Sequence, residues 1–208
     1  SKTTAHKADV LLIFGGSAAA VSRTGYLTAW ARSLSRRSDP PEIRNEDSLA
    51  ELFLLPHQRL LNHTPWLTRR LLDWRVPGAV SYFNARTRHF DAILLEQSVV
   101  GIDQLVILGA GFDSRALRFD ERLGSIRVFE VDLPEVIALK SRHMEAAGRP
   151  MPARVTQVPT DFATEDLLGT LSRHGYREDQ KTLFLWEGVT YYLVDDAVTA
   201  VLRFVSEH

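Results

Sequence analysis

The sequence predicts an α/β protein: an open parallel sheet preceded by a helical region. Three observations carry this. Residues 104–119, QLVILGAGFDSRALRF, read as a short apolar strand, a glycine-rich turn and the start of a helix. From there to residue 208, strand and helix patterns alternate. Ahead of it, apolar residues recur at helical rather than strand spacing.

The elements follow in order. Ala18, Val21, Leu27, Trp30 and Leu34 mark a helix over 17–37, broken by Ser38-Asp39-Pro40-Pro41. Residues 48–62 are leucine-rich, and Thr64-Pro65 has the form of an N-cap with proline in the first helical position. A longer helix is predicted from about 79 to 100, between Gly78 and Gly101. Strand 105–108 is an unbroken apolar run, as expected of a strand covered on both faces. A helix near 114–120 follows, capped by Asp113 or Ser114. Strand 127–131 leads to helix 133–147, with Pro134 at its start and Gly148 at its end. A weaker strand at 154–158, a helix capped by Thr164 and running to about His174, strand 182–186, and a helix from Val194 complete the pattern. The natural division is a helical cap region, 1–101, and a sheet core, 102–208.

Composition excludes several classes. The chain has 208 residues, of which 45% are hydrophobic and 25% charged, as in ordinary globular proteins. Its formal net charge of -1 gives no overall basic field for nucleic acid, although 69–88 is locally basic. There are no cysteines, so disulfides and thiolate metal sites are excluded. The seven histidines show no metal-ligand spacing; His57 and His63 are six apart. No apolar run reaches the ~18 residues of a membrane span, and 10–14 is far too short. A cytoplasmic enzyme is the expectation.

The glycine turn is the leading site candidate. Gly109 and Gly111 let the backbone turn sharply and approach a ligand closely. Asp132 ends the second strand 23 residues after Gly109, where an acid can bind ribose hydroxyls. Glu130, two residues earlier, competes for that role or pairs structurally with an arginine. Asp161-Phe162 follows the third strand and either recognises an adenine ring or serves the next helix as a cap. Glu187, beside Gly188, ends the fourth strand, where a carboxylate either faces the ligand side of an open sheet or is simply a solvated strand end. Tyr191 and Tyr192 line the substrate side or simply pack. Arg86 and Arg88 lie on the helix before the sheet, where a guanidinium either holds a carboxylate or sits at the surface. A nicotinamide-type fingerprint would want a glycine at position 114, which is Ser114.

Taken together, ARTRHFD at 85–91, VILGAGFDSRALRF at 106–119, FEVDLPEVIALK at 129–140, TDF at 160–162 and LWEGVTYYL at 185–193 resemble the leucine carboxyl methyltransferase-like family of S-adenosylmethionine-dependent methyltransferases. SRTGYLTA at 22–29 is similar to that family's opening helix, so the likeness spans roughly 17–208. The resemblance implies a Rossmann-like methyltransferase sheet with an N-terminal helical cap and S-adenosyl-L-methionine as cofactor. By matching positions it implies that Arg86 holds the donor's methionine carboxylate and that Gly109 lines the methionine end, with Gly111 in the same turn. Asp132 would take the ribose hydroxyls, Asp161 and Phe162 the adenine, and Glu187 would lie near the methionine amino group. The implied reaction is O-methylation of a carboxylate or hydroxyl, of a small molecule or alternatively of a protein C-terminus. A cofactor-binding interaction module and a nicotinamide-dependent oxidoreductase are the rival classes. No catalytic base is assigned.

Four strands fit before His208, fewer than a complete doubly wound domain carries. The expectation is a C-terminally truncated chain, with the apolar edge at 182–186 covered by further residues or by another chain.

Overall fold

The computed structural model describes residues 18–161 and 164–207, apart from the side chains of 18–22 and 191. The apolar run at 10–14, the first residue of the predicted 17–37 helix, Phe162 and the Tyr191 side chain lie outside the described part.

Helix α1 (Ala18–Ser38) stops just before the Pro40-Pro41 pair, which cannot continue it. The leucine-rich stretch forms a 3₁₀ turn (Ala50–Phe53) and a short helix, α2 (Pro56–Leu61). Helix α3 (Pro65–Arg75) begins with Pro65 in its first turn, but the Thr64 hydroxyl makes no capping bond. Helix α4 (Ala79–Val100) runs between left-handed Gly78 and Gly101 as the sequence predicts.

The sheet begins with β1 (Gln104–Leu108). The predicted 114–120 helix is two short ones, α5 (Arg115–Arg118) and α6 (Asp120–Leu123). Ser114 occupies the N-cap position of α5 but makes no side-chain capping bond; Asp113, one residue earlier, accepts from the Arg115 N–H through Oδ1 at 2.7 Å. The Ser114 Oγ instead accepts from Arg118 Nε at 2.9 Å. Next come β2 (Arg127–Asp132), α7 (Pro134–Ala146), β3 (Val155–Pro159), α8 (Leu167–Arg173), β4 (Thr182–Trp186) and α9 (Asp195–Glu207). Helix α8 is capped by Asp166, which accepts from the Gly169 N–H at 3.0 Å, and not by Thr164. The carboxylate at 166 sits on extended backbone one residue before the helix, as a cap requires. Thr164 lies instead in a turn closed by the Asp161 carbonyl.

All strand pairs are parallel, in the order β3-β2-β1-β4. The chain moves outward from β1 to β3 and then crosses back to place β4 on the other side of β1. The switch point therefore lies between β1 and β4, and a crevice opens beyond their carboxyl ends. Among the described residues β4 pairs only with β1.

Strand alternation divides the core. Leu105, Ile107, Val128 and Leu185 pack on one face with Leu94 of α4 and Ala116 and Leu123 of α5 and α6. Val106, Leu108, Phe129 and Val131 pack on the other with Leu167 and Leu171 of α8 and Val201 of α9. A third cluster joins Ala29, Trp30 and Leu34 of α1 to Phe53, Val80, Met144 and Phe112. Phe112 belongs to the glycine turn, so the turn is anchored in the helical region by its own aromatic ring. That ring stacks on Phe53 at 4.8 Å between centroids. No described helix is long and apolar enough to cross a membrane.

Candidate functional site

A cavity of about 540 Å³ lies over the switch point. Its floor is the glycine turn after β1, its far wall is the 187–193 segment after β4, and its roof comes from α1 and α4. The volume is in the range of small-molecule and cofactor sites.

The turn end is built by backbone. Gly109 and Gly111 have positive φ, 68° and 46°. A Cβ on Gly109 would collide with Val189, whereas above Gly111 the nearest atom is the Gly109 carbonyl oxygen, at 3.9 Å. The Gly111 N–H donates to Asp132 Oδ2 at 2.6 Å, and the Leu133 N–H to Oδ1 at 2.8 Å. Asp132 is thereby fixed against the turn, with only 4% of its surface exposed. Burial pushes its carboxyl above the usual range, and the two N–H donors offset part of that. A carboxylate has about four lone-pair sites, so acceptor capacity remains for a ligand hydroxyl.

Glu130 is not part of this surface. It is fully buried with Lys140 of α7, Nζ to Oε2 at 2.7 Å. The expected arginine partner is thus a lysine. Burial raises the Glu130 carboxyl, Lys140 opposes that, and Oε1 finds no hydrogen-bond partner among the described residues.

The β4 end is built by ion pairs. Glu187 Oε1 accepts from Arg86 Nε at 2.7 Å, and its Oε2 lies 2.8 Å from Arg115 Nη2. Arg86 comes from α4 and rests on the rings of Tyr82 and Phe83, 5.5 and 5.2 Å from their centroids. Arg115 also binds Asp91 at 2.7 Å, and Asp113. Asp91 is shared with Arg118, whose Nη1 lies 2.9 Å from it. Beyond Arg118 lies Asp47, fully buried and paired with Arg32 at 2.8 Å; Arg32 Nη2 also donates to the Phe112 carbonyl at 2.8 Å. Burial alone would raise the Asp47 and Asp113 carboxyls, yet both are held low, Asp47 by Arg32 and Arg118, and Asp113 chiefly by Arg115 and Lys140.

The structure therefore brings Arg86, Gly109, Gly111, Asp132, Asp161 and Glu187 to one cavity. The Asp161 carbonyl accepts from the N–H groups of Thr164 and Glu165, which shapes the turn at the third strand's end. Tyr192 also reaches the cavity, its hydroxyl donating to Thr24 Oγ1 of α1 at 2.6 Å. Arg88 lies outside it, at the surface, donating to the Arg44 and Glu42 carbonyls. Asp91, Arg115 and Arg118 were not singled out from the sequence. Two of their signals were in plain view, the acid closing ARTRHFD and the arginine closing GAGFDSR. Among the described residues no group of His, Asp and Glu side chains is placed to hold a metal ion.

A parallel sheet with a crevice at its switch point, a glycine turn and an acid at the end of the next strand defines a nucleotide-type binding protein. The model of the leucine carboxyl methyltransferase family matches residues 26–206, and the chain belongs to that family. S-adenosylmethionine is the family's cofactor. The chain is 33% identical over 188 residues to a proposed S-adenosyl-L-methionine-dependent methyltransferase of Parafrankia sp. (strain EAN1pec), a match covering 90% of this chain and 59% of the relative. It is 35% identical over 196 residues to a similarly named protein of Streptomyces coelicolor, covering 89% and 61%. A third, from Mycolicibacterium smegmatis, is 38% identical over 126 residues, covering 61% and 39%. The chain thus spans about three fifths of the length of the first two relatives.

Proposed function

We propose that the chain carries the donor site of an S-adenosylmethionine-dependent O-methyltransferase acting on a carboxylate or hydroxyl, in the cytoplasm and on a small molecule. The division into a cap, 1–101, and a donor-binding core, 102–208, belongs to the same reading. The observation that carries it is the pairing of two unlike ends in one cavity: Asp132 hydrogen-bonded to the glycine turn, and Glu187 held by Arg86 across from it.

The residues present fit the donor. The open face above Gly111 admits a flat or chain-like group against the backbone. Asp132 accepts from ribose hydroxyls with the lone pairs its two backbone donors leave. Arg86 takes the amino-acid carboxylate in a bidentate pair, and Glu187 takes the ammonium. Gly109 lines the methionine end. Asp161 accepts from the adenine amino group; Phe162, which the family resemblance pairs with it in that role, lies outside the described residues. When bound, the donor supplies a methyl carbon made electrophilic by its sulfonium. The protein's task is then to hold an acceptor oxygen in line with that carbon and keep water out, so positioning carries much of the rate. A carboxylate acceptor is ionised near neutral pH and needs no general base. A phenolic hydroxyl, with pKa about 10, does.

Calorimetry with S-adenosylmethionine, S-adenosylhomocysteine and NAD tests the reading. Binding of the first two and not the third is expected. Preference for NAD would overturn it. Methyl transfer to paired acid and phenol acceptors then separates the two acceptor classes.

A further inference from the structure

The two arginines on Glu187 are not alike. Arg115 is 3% exposed, and its guanidinium is occupied on every side: Nε on Asp91, Nη1 on Asp113, Nη2 on Glu187 and on the Thr87 carbonyl. Burial would weaken its hold on its proton, but the carboxylates of Asp113, Glu187 and Asp91 more than reverse that, so it stays charged. Asp91 is itself tied down by two bonds from Arg118, at 2.9 and 3.0 Å. Moving Arg115 would strand buried carboxylates without a partner. Arg86 has the opposite character. Its side chain is 18% exposed, it gives Nε to Glu187, and Nη1 and Nη2 lie flat on Gly188, each 3.0 Å from where a Cβ would stand. A guanidinium on a bare glycine and two rings can slide without breaking a buried network.

We propose that Arg115 is a positioning residue that holds Glu187 in place while Arg86 leaves it to meet the carboxylate of an incoming amino-acid group. This rests on the donor reading above and deepens it. In the structure Glu187 satisfies both arginines. With an amino-acid zwitterion bound, the ammonium takes Arg86's place on Oε1 and the ligand carboxylate takes Glu187's place on Arg86. The result is a row of alternating sign: Arg115, Glu187, ammonium, carboxylate, Arg86. Oε2 stays on Arg115 throughout, so the carboxylate that receives the ammonium does not have to be reoriented. The ligand inserts into an existing ion pair, so no charge is left unpaired at any stage.

The test uses two ligands that differ at this end alone. S-adenosylhomocysteine carries the amino-acid group, and 5′-methylthioadenosine lacks it. Arg115→Lys keeps the charge and loses the fork. It should weaken S-adenosylhomocysteine by about tenfold or more while leaving methylthioadenosine within about twofold. In a Glu187→Gln background the same substitution should add no further loss, because Arg115 acts through Glu187. Equal weakening of both ligands, unchanged S-adenosylhomocysteine binding, or an additive loss in the Glu187→Gln background would overturn the assignment. Wild-type protein that binds neither ligand would overturn the donor reading itself, and this inference with it. Should Arg115→Lys not fold, a crystal structure of the wild-type complex with S-adenosylhomocysteine decides: Arg115 still on Oε2 and Arg86 moved to the ligand carboxylate is expected, and Arg86 still on Oε1 contradicts it.

Discussion

The two ends of the cavity are made in different ways. At the turn end, Gly109 and Gly111 of the turn after β1 meet Asp132 at the end of the neighbouring β2, held through backbone N–H groups. At the β4 end, Glu187 is held by arginines from a helix 101 residues away and from the turn after β1. The first end depends on what the backbone can adopt. The second depends on charge balance between distant elements. A substitution should therefore act through conformation and packing at one end and through electrostatics at the other.

The most severe break is expected just beneath the turn. Lys140→Met leaves Glu130 buried without its partner, and the loss should be about 3–5 kcal/mol. Urea unfolding measures it, and a loss under 1 kcal/mol would show that the pair is not what holds α7 to the sheet. Replacing both residues, with Glu130→Leu added, should recover most of the loss.

Gly109→Ala comes next. The left-handed backbone costs an alanine about 1–2 kcal/mol, and the collision with Val189 adds to it. Gly111→Ala should cost only the conformational part, because the space above it is open. Equal thermal shifts in the two variants would mean that Val189 is not packed against the turn.

Arg86→Lys probes the other end and should scarcely alter stability. It should weaken S-adenosylhomocysteine by about 1.5 kcal/mol, since the bidentate geometry is lost though the charge remains. Unaltered affinity would remove Arg86 from the ligand's carboxylate.

Legibility followed the same division. The glycine turn and Asp132 could be read because strand, turn, helix and acid-ended strand are contiguous in sequence. The first and fourth strands were legible as short apolar runs, whereas the second is interrupted by Glu130 and the third, VTQVP, gives a weaker signal. Arg86, Asp161 and Glu187 stood out only through family resemblance, since their meaning depends on tertiary approach. Asp91, Arg115 and Arg118 went unassigned because a sequence shows charge but not burial. The lysine partner of Glu130 was missed because position 140 faces the sheet only once α7 has docked. The cap of α8 shifted from Thr164 to Asp166 because two suitable side chains lie two residues apart, and backbone geometry chooses between them.

The smallest expected effect is a pH dependence carried by the aromatic cluster that anchors the turn. His143 Nδ1 donates to the Leu52 carbonyl at 3.1 Å, so in the neutral ring Nε2 accepts from the Tyr26 hydroxyl at 3.1 Å. Burial first, then Arg59 and Arg142, lower its pKa against the raising influence of the Leu52 carbonyl. The folded state therefore favours the neutral ring. Its contribution is fully present above the unfolded value of about 6.5 and is lost as pH falls below it. Melting temperature should drop between pH 7.5 and 5.5 by more in the wild type than in His143→Phe. An identical drop in both would exclude His143 as a source.

Asp132 stands where the glycine turn meets the second strand, and the donor site depends on it. Calorimetry of S-adenosylhomocysteine with the wild type and Asp132→Ala tests it most directly. Loss of the ribose hydrogen bonds should weaken binding by about 1.5–3 kcal/mol, with Arg86→Lys adding independently because it acts at the other end. Unchanged affinity in Asp132→Ala, in a protein that remains folded, would contradict the account.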